Sequence, residues 1–521
     1  MKKTRKALAL ILAAIMILAL LTACKSGEKE EAKDPTANTT TGTAEKVLTV
    51  GTTYSQLYFY SSGSGESDNY CRRLLYDQLF YVDDYTGEIS SDVLASYEWE
   101  TDTVLKLVLK DNVTFSDGSK MTGEDILATV KSYVDNGNSE IEFYKRIDFD
   151  KSAVDADGLT TRIVYSEVYG AAISTLMIPV LPAAAIEQHS DGDDYWWTSA
   201  IGSGPYELSK VELGSYVEYT RRDDYWNKDA SYEADKIVVK YYTDTTAEYA
   251  DLLSGELDAM VQLSTTQVDQ LNGEKDIKVV TQSANDVAFI CFNEATVAPE
   301  VREAIAYAVD WEQVAIAGYG SLQVPATSHY ATTFDAYTDH GTVYEYDVDK
   351  AKEILASAGI SNLTLSIPCF SGAASDIAIA ETLQFYLEQV GIKLTVDQMD
   401  IPTLIPTLIS GGGDLCIQST IANGNAAKEV NTAISPMLSD GFAIMAIADD
   451  TWNSLVRGGI ATTDAKKRVE IYKEADQWLY DNYHGVPICE REEAFAYNSA
   501  KLADMSLANT QRGNLACVKF N

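Results

Sequence analysis

The chain has 521 residues, a length typical of about two to four domains. Hydrophobic residues make up 46 % and charged residues 23 %, which is the mixture of an ordinary globular protein and excludes wholesale disorder. With 40 basic and 78 acidic residues the net charge is −38, so the chain lacks the clustered positive charge that a nucleic-acid partner requires. Tyrosine is abundant, at 32 residues, and supplies flat apolar faces with polar tips for binding small molecules or partners.

The first 23 residues indicate an export signal. Four basic residues and no acid precede an unbroken apolar run of 15 residues, 7–21, which is shorter than the roughly 20 residues of a membrane-spanning helix. The run ends in Leu21-Thr22-Ala23-Cys24, which resembles a bacterial lipobox, in which the cysteine is lipidated and becomes the new N-terminus. We predict that residues 1–23 are a lipoprotein signal peptide and that Cys24 is lipidated. The alternative is an ordinary signal peptide with an incidental cysteine.

The segment after the predicted signal has the composition of a linker. Lys25 to Glu45 contain no aromatic residue and no aliphatic one larger than alanine, so they cannot bury enough surface to fold. We predict that residues 24–45 are a flexible tether. The folded body would then be held by its lipid at the outer face of the plasma membrane.

The first half of the folded part alternates strands, turns and helices. The β-branched run Val47–Thr53 predicts a strand, and helix-like spacing follows in Asn69–Phe80. Trp99–Phe115 has the partial alternation of a hairpin. Thr122 then begins a predicted helix, with Asp125 at the capping-box position.

From about residue 236 the pattern becomes α/β. Two helices end at a glycine and are followed directly by a strand, with Gly359 and Gly391 at the two junctions. Asp310 and Asp347 stand at N-cap positions of further helices. Such units predict parallel strands covered by helices. The predicted strands are 236–242, 257–261, 287–293, 363–368 and 392–396, and the predicted helices include 247–253, 299–309 and 377–390.

A search for catalytic or metal-binding patterns finds no positive support for an enzyme. The four histidines have no zinc spacing, and no P-loop, dinucleotide loop or G-x-S-x-G sequence is present. None of the seven cysteines forms a C-x-x-C pair. We expect no metal and no cofactor. The six cysteines beyond Cys24 are expected to be buried free thiols, with pairing of some of them as the alternative.

Six segments resemble, in their order and spacing, signatures of the extracytoplasmic solute-binding proteins of the peptide/nickel ABC-importer family. Each one alone is weakly diagnostic, but the six together are specific. They are Leu75-Tyr76-Asp77-Gln78-Leu79-Phe80, Phe115-Ser116-Asp117-Gly118 with Met121-Thr122-Gly123-Glu124-Asp125, Gly202-Ser203-Gly204-Pro205-Tyr206, Arg222-Asp223-Asp224-Tyr225-Trp226, Ser254-Gly255-Glu256-Leu257-Asp258, and Val301-Arg302-Glu303-Ala304 with Tyr307-Ala308-Val309-Asp310. We interpret most of these residues as scaffold rather than as ligand contacts.

The resemblance implies an α/β protein of the two-lobed, type II periplasmic-binding-protein class, with an extra inserted subdomain and a hinge between the lobes. Lobe I would be discontinuous and comprise residues 46–72, 200–286 and 490–521. Its inserted subdomain would be 73–199, and lobe II would be 287–489. Two strands would cross between the lobes near Phe289–Asn293 and Pro487–Arg491.

The resemblance also implies a ligand cleft between the lobes. Ligands of open α/β sheets lie beyond the carboxyl ends of strands. The candidate ligand-binding residues therefore follow the first strand and the lobe II strand near 414–417. They are Thr53, Tyr54, Ser55, Gln418, Ser419, Thr420, Asn423 and Asn425.

One feature departs from the peptide-binding members of the resembled family. Those proteins commonly place a Trp and then an Asp just after this lobe II strand, and the Asp holds the amino terminus of the peptide. Here Gln418–Asn425 contains neither residue. A buried ammonium without a partner costs about 3–5 kcal/mol relative to a paired one. Either another acid serves, or the ligand has no free amine there. We hypothesise that the protein binds free di- and tripeptides poorly.

The sequence therefore predicts a membrane-anchored, monomeric solute-binding protein that captures a small ligand and delivers it to an ABC permease. Peptide is the first choice of ligand. An oligosaccharide or other neutral solute is the alternative within the same class. A secreted glycosidase and a purely structural surface lipoprotein are the alternatives from other classes.

Overall fold

The computed structural model describes most of the chain after residue 44. Within it, Glu45–Asn521 forms one compact unit. The predicted signal peptide and most of the predicted tether, including Cys24, lie outside the described residues. The side chains at 66–70 and 82 are also outside the description. The described ranges are 45–53, 66–82, 89–135, 144–190, 193–341, 344–419, 437–438, 443–505 and 514–521.

Strands and helices alternate along the described chain. The strands are β1 Val47–Thr52, β2 Tyr81–Val82, β3 Ile89–Ser90, β4 Leu94–Thr101, β5 Val104–Leu109, β6 Ala153–Val154, β7 Thr160–Val164, β8 Tyr206–Glu212, β9 Tyr216–Arg221, β10 Lys236–Tyr241, β11 Ala259–Met260, β12 Ile277–Phe292, β13 Gln323–Pro325, β14 Leu363–Phe370, β15 Ile392–Met399, β16 Leu415–Ser419, β17 Gly485–Asn498, β18 Leu502–Asp504 and β19 Lys519–Phe520. The α-helices are α1 Glu66–Leu75, α2 Gly123–Asp135, α3 Ala172–Thr175, α4 Ala183–Gln188, α5 Tyr195–Thr198, α6 Thr245–Ser254, α7 Thr265–Leu271, α8 Pro299–Ala308, α9 Trp311–Tyr319, α10 Val348–Ser357, α11 Ala374–Glu388, α12 Ile401–Ile409, α13 Asp450–Ile460 and α14 Ala465–Asn482.

A nine-stranded mixed sheet forms the centre of the molecule. Its order is β16-β12-β17-β11-β1-β10-β9-β8, and β13 adds to β17. The strand β1 runs parallel to both β10 and β11, whereas β12 and β17 are antiparallel. The long strands β12 and β17 therefore connect the β1 side of the sheet to β16.

Smaller sheets lie outside the central one. The strands β4, β5, β7 and β6 form an antiparallel sheet in that order, within the predicted inserted subdomain. The strands β14 and β15 pair in parallel, as the helix–glycine–strand pattern predicted. Among the described residues, no helix is both long enough and apolar enough to cross a membrane.

The local signals that predicted the helix ends are also confirmed. The Asp310 side chain accepts from the Gln313 N–H at 3.3 Å and the Asp347 side chain from the Lys350 N–H at 2.8 Å, which caps α9 and α10. Gly391 has a φ of 82° at the turn into β15, a left-handed conformation that glycine adopts without strain. The strand predicted at 287–293 is longer than expected and begins at Ile277.

Four of the cysteines that the structure describes, Cys291, Cys369, Cys416 and Cys489, are buried free thiols. Cys71 is also buried and Cys517 is half-buried. Cys291 and Cys416 face each other across β12 and β16, and burial raises the pKa of the Cys291 thiol. These cysteines therefore act as small apolar core residues.

Residues from three of the family-like segments meet in one buried network around Asp77. The Tyr225 hydroxyl donates to Asp77 Oδ1 at 2.8 Å and the Trp226 Nε1–H donates to Oδ2 at 2.7 Å. The Asp77 N–H donates to the Ser203 hydroxyl at 3.1 Å. Burial and the nearby Asp92 raise the pKa of Asp77 to about 7, although these hydrogen bonds act against the rise. The scaffold interpretation of these residues agrees with their contacts.

The glycines of Gly202-Ser203-Gly204 allow this network to form. A Cβ at Gly202 would lie 1.9 Å from the Leu75 carbonyl oxygen, and one at Gly204 would lie 2.5 Å from the Leu74 carbonyl oxygen. The buried Arg222 guanidinium then donates to the Gly204 carbonyl at 3.0 Å and to the Phe115 carbonyl at 3.2 Å. This guanidinium ties the subdomain turn at Phe115 to the central sheet.

Removing the acceptor at the centre of this network should destabilise the fold. We expect Asp77→Ala to lower the free energy of unfolding by about 2–4 kcal/mol, because two buried donors lose their acceptor. Asp77→Asn keeps one acceptor oxygen and should cost less. Chemical denaturation measures both. The exposed Asp111→Ala is the matched control and should stay within about 0.5 kcal/mol of the wild type. An Asp77→Ala protein as stable as this control would contradict the prediction.

Candidate functional site

The candidate site lies where β12 and β17 cross between the two sides of the sheet. Their pairing extends from Ile277 opposite Asn498 to Cys291 opposite Gly485. The register is irregular between Ser283 and Val287, so the ladder is interrupted near the middle of the pair. Such an irregularity bends the strands and changes the direction in which their side chains point.

The carboxyl end of β1 points toward this irregularity. β11 is antiparallel to β17, with Met260 opposite Ala496. β1 is parallel to β11, with Gly51 opposite Met260. Residues after β1 therefore lead toward the lower-numbered part of β17, which contains residues 490–493.

The carboxyl end of β16 points toward the same stretch from the opposite side. β16 is antiparallel to β12, with Leu415 opposite Phe292 and Ser419 opposite Ala288. Ala288 itself lies opposite Cys489 of β17. The two carboxyl ends thus converge on one segment of the crossing strands, which is the position where ligands of open α/β sheets bind.

Three of the predicted ligand-binding residues are described by the structure. Thr53 directly follows β1 and is exposed, and Gln418 and Ser419 are half-buried at the end of β16. The remaining five lie outside the described residues, so their positions stay predictions. They are Tyr54, Ser55, Thr420, Asn423 and Asn425.

The irregular segment of β12 carries an ion pair to β17. Asn285 has a φ of 55°, in the left-handed region. The next residue, Asp286, is 0 % exposed and accepts from Arg491 Nε at 2.5 Å and also from Nη2. The Arg491 guanidinium lies 5.7 Å from the centre of the Tyr319 ring. This ion pair joins the two crossing strands at the interruption of their ladder.

Three more acids lie within two positions of Arg491 on β17. Buried Glu490 accepts from the Thr332 N–H and hydroxyl, both at 3.0 Å, and from the Ser283 hydroxyl. Glu493 accepts from the Gln282 amide at 2.6 Å. Glu492 is half-buried, and burial together with Glu490 raises its pKa. We call Asp286, Glu490, Arg491, Glu492 and Glu493 the acidic floor.

Sequence reasoning placed a crossing strand at Pro487–Arg491 but did not single out the acidic floor. The signal was present as the run Glu490-Arg491-Glu492-Glu493 between two apolar stretches of one strand. Acids are common throughout this chain, so the run did not stand out by composition. What distinguishes this run from the other acids of the chain is that it interrupts an otherwise apolar strand.

A buried histidine–aspartate group holds the first residue of β17. Asp476 is 0 % exposed and contacts His329 Nδ1 at 3.0 Å and His340 Nε2 at 2.8 Å. His329 Nε2 lies 3.0 Å from the Gly485 carbonyl oxygen. Burial alone would raise the pKa of Asp476, yet the hydrogen bonds from His329 and His340 hold it below its usual range. The bond to Asp476 raises the pKa of His340.

A second histidine–carboxylate pair connects the neighbouring ends of the crossing strands. His484, just before β17, lies 2.5 Å from Glu294, just after β12. Glu294 also accepts from Arg302 at 3.1 Å and from the Ala448 N–H at 3.0 Å. Burial raises the pKa of Glu294, but the bond from His484 and the other contacts bring it below its usual value. In the described part of the chain, no group of three or more His, Cys, Asp or Glu side chains is arranged to hold a metal ion.

The Asp476 group predicts a specific pH dependence of stability. A carboxylate with a lowered folded pKa contributes stability that is present above its unfolded pKa and lost as pH falls. A histidine with a raised folded pKa contributes stability that is present below its unfolded pKa and lost as pH rises. Both contributions are therefore complete between about pH 4 and about pH 6.5.

We expect the melting temperature to decline as pH rises from 6 to 9, and the decline to be shallower in His340→Gln, which removes the histidine contribution. Thermal unfolding monitored by circular dichroism at several pH values measures it. His189→Gln is the control and should keep the wild-type slope. Equal slopes for wild type and His340→Gln would contradict the prediction.

Comparison with known proteins gives the family of the chain. The family model "Bacterial extracellular solute-binding proteins, family 5 Middle" matches residues 88–435. The probable ABC transporter periplasmic-binding protein SapA of Escherichia coli (strain K12) is 23 % identical over 459 residues, which is 81 % of this chain and 83 % of SapA. The nickel-binding protein NikA of Staphylococcus aureus is 24 % identical over 62 % of this chain and 64 % of NikA.

Solved structures share the fold. The ABC transporter substrate-binding protein CtaP of Listeria monocytogenes has a TM-score of 0.79 at 21 % identity, with 91 % of this chain and 99 % of that chain covered. The dipeptide-binding protein of Pseudoalteromonas sp. SM9913, solved with Met-Leu, has a TM-score of 0.75 at 18 % identity, with 91 % and 100 % covered. The predicted type II, two-lobed α/β class is confirmed.

The family model spans more than half of the chain, so this protein belongs to the family 5 bacterial extracellular solute-binding proteins. It is the extracytoplasmic solute-binding component of an ABC importer. Its curated relatives include the probable ABC transporter periplasmic-binding protein SapA and a putative ABC transporter peptide-binding protein of Brucella ovis.

Proposed function

We propose that the protein captures peptides, binds them without catalysis and without a cofactor, and delivers them to its permease as a monomer anchored through Cys24. The observation that carries the choice of peptide is the acidic floor. It brings four carboxyl groups and one guanidinium to the segment on which the carboxyl ends of β1 and β16 converge. This excess of negative charge favours a ligand with a positive group.

The proposed domain boundaries follow the crossing strands. Lobe I comprises 46–72, 200–286 and 490–521 with its inserted subdomain 73–199, and lobe II comprises 287–489. The interruption between Ser283 and Val287 lies next to the proposed boundary at 286/287. A bend in the crossing strands at this point would open and close the cleft.

Within the acidic floor, Glu492 is the best placed to neutralise a ligand cation. The other three acids already accept hydrogen bonds from Arg491, Thr332 or Gln282. In the described part of the chain, no donor or cation contacts the Glu492 carboxyl group. Its raised pKa reflects burial and the neighbouring Glu490, and a bound ammonium would offset both effects.

Calorimetry with matched peptides tests the ligand class. We expect micromolar or tighter binding of peptides of four to six residues, and at least about tenfold weaker binding of free di- and tripeptides, because Gln418–Asn425 lacks the usual aspartate and short peptides have few other contacts. Malto-oligosaccharides should not bind or be hydrolysed. Binding or hydrolysis of a sugar instead of peptides would contradict the proposal.

Acetylated peptides and one substitution define the role of Glu492. Tight di- or tripeptide binding that is lost on acetylation of the amino terminus would overturn the hypothesis of poor short-peptide binding and show that another acid serves as the anchor. For any peptide that binds, Glu492→Gln should weaken binding, while the exposed Glu353→Gln on α10 should not.

The anchor is tested by cell fractionation. We expect Cys24→Ala to release the protein from membranes into the soluble fraction, because the proposed lipid would no longer be attached. A silent replacement of the same codon is the control. A Cys24→Ala protein that still pellets with membranes after a high-salt wash would contradict lipidation at Cys24.

A further inference from the structure

One hydrogen bond joins the inserted subdomain to the helix pair α13–α14 of proposed lobe II. The Gly170 N–H donates to the Ile460 carbonyl oxygen at 2.6 Å. Gly170 lies just before α3, and Ile460 is the last residue of α13. The two residues are 290 positions apart in the chain, one in the proposed inserted subdomain of lobe I and the other in proposed lobe II.

Only a residue without a side chain fits at this contact. A Cβ at Gly170 would lie 2.2 Å from the Thr462 carbonyl oxygen and 3.2 Å from Arg468 Nη1. The Thr462 carbonyl cannot easily move aside, because Arg468 Nη1 donates to it at 2.8 Å. The backbones of the two elements therefore meet directly.

Buried apolar residues flank the contact. Tyr169 and Ala171 flank Gly170 and are 1 % and 0 % exposed. They belong to the same buried apolar cluster as Ile460 and Tyr472 of the helix pair. Separating the two elements would expose part of this cluster to water, so the contact favours the arrangement in which they touch.

We propose that Gly170 is a positioning residue for ligand binding, which sets affinity by holding lobe II against the inserted subdomain in the closed protein. This inference rests on the proposed lobe boundaries and on cleft closure around the ligand. The observed affinity of a protein that must close is its intrinsic affinity multiplied by the closed fraction. A residue remote from the ligand therefore changes affinity by changing that fraction.

Substitution at this glycine provides the first test. We expect Gly170→Val to weaken binding of a mixture of tetrapeptides with free amino termini about ten- to a hundredfold, mainly through faster dissociation. If the ligand-free protein is mostly open, as the proposal requires, it does not make the contact, and its melting temperature should change by less than about 2 °C. Gly170→Ala is the second variant if the valine protein does not fold. The control is Gly458→Ala on α13, where an added Cβ meets nothing within 4 Å.

Hydrogen exchange of the ligand-free wild type tests the contact without any added peptide. We expect the Gly170 amide to exchange much faster than the amides of the β4–β5–β7 sheet of its own subdomain, because opening of the lobes exposes it without unfolding. Exchange at Gly170 only with global unfolding would show a permanent interface and overturn the proposal.

The two experiments separate the possible failures. If the wild type binds none of the tetrapeptides, the proposed ligand class is wrong, and the exchange data still decide the role of Gly170. If the wild type binds and both Gly170 variants bind equally well, the inference about Gly170 is wrong and the ligand class stands.

Discussion

The antiparallel pairing of β12 with β17 is the interaction on which the rest of the structure depends. These strands carry the ladder from β11 and β1 on one side to β16 on the other. Their direction fixes where the carboxyl ends of β1 and β16 point, and so fixes the location of the candidate site. The His329–Asp476 and His484–Glu294 pairs hold the end of this strand pair at Gly485. The Asp286–Arg491 ion pair lies where the ladder between the two strands is interrupted.

Local signals in the sequence were sufficient to predict most of the helices and strands. The N-caps at Asp310 and Asp347 and the helix–glycine–strand units depend on residues that are close in the chain. The resemblance then supplied the class of fold. The strand predicted at 287–293 was too short, because polar and small residues at 281–286 separate Ile277, Val279 and Val280 from the apolar second half of β12.

The candidate site was less predictable, for a physical reason. The acidic floor is assembled from β12 and β17, which are separated by about 200 residues, so its partners cannot be found from local patterns. Asp286, for example, was one acid among 78 in the sequence, and its distinction is complete burial against Arg491. The contact of Gly170 with Ile460 is equally long-range. The sequence around either residue contains no pattern that predicts the other as its partner.

The free thiols have a consequence for biogenesis. A chain exported to an oxidising compartment often depends on oxidoreductases to form and sort its cross-links. Cys291, Cys369, Cys416 and Cys489 are buried free thiols. Because thiol–disulfide exchange requires access to the sulfur, an exchange enzyme reaches these four thiols only while the chain is unfolded.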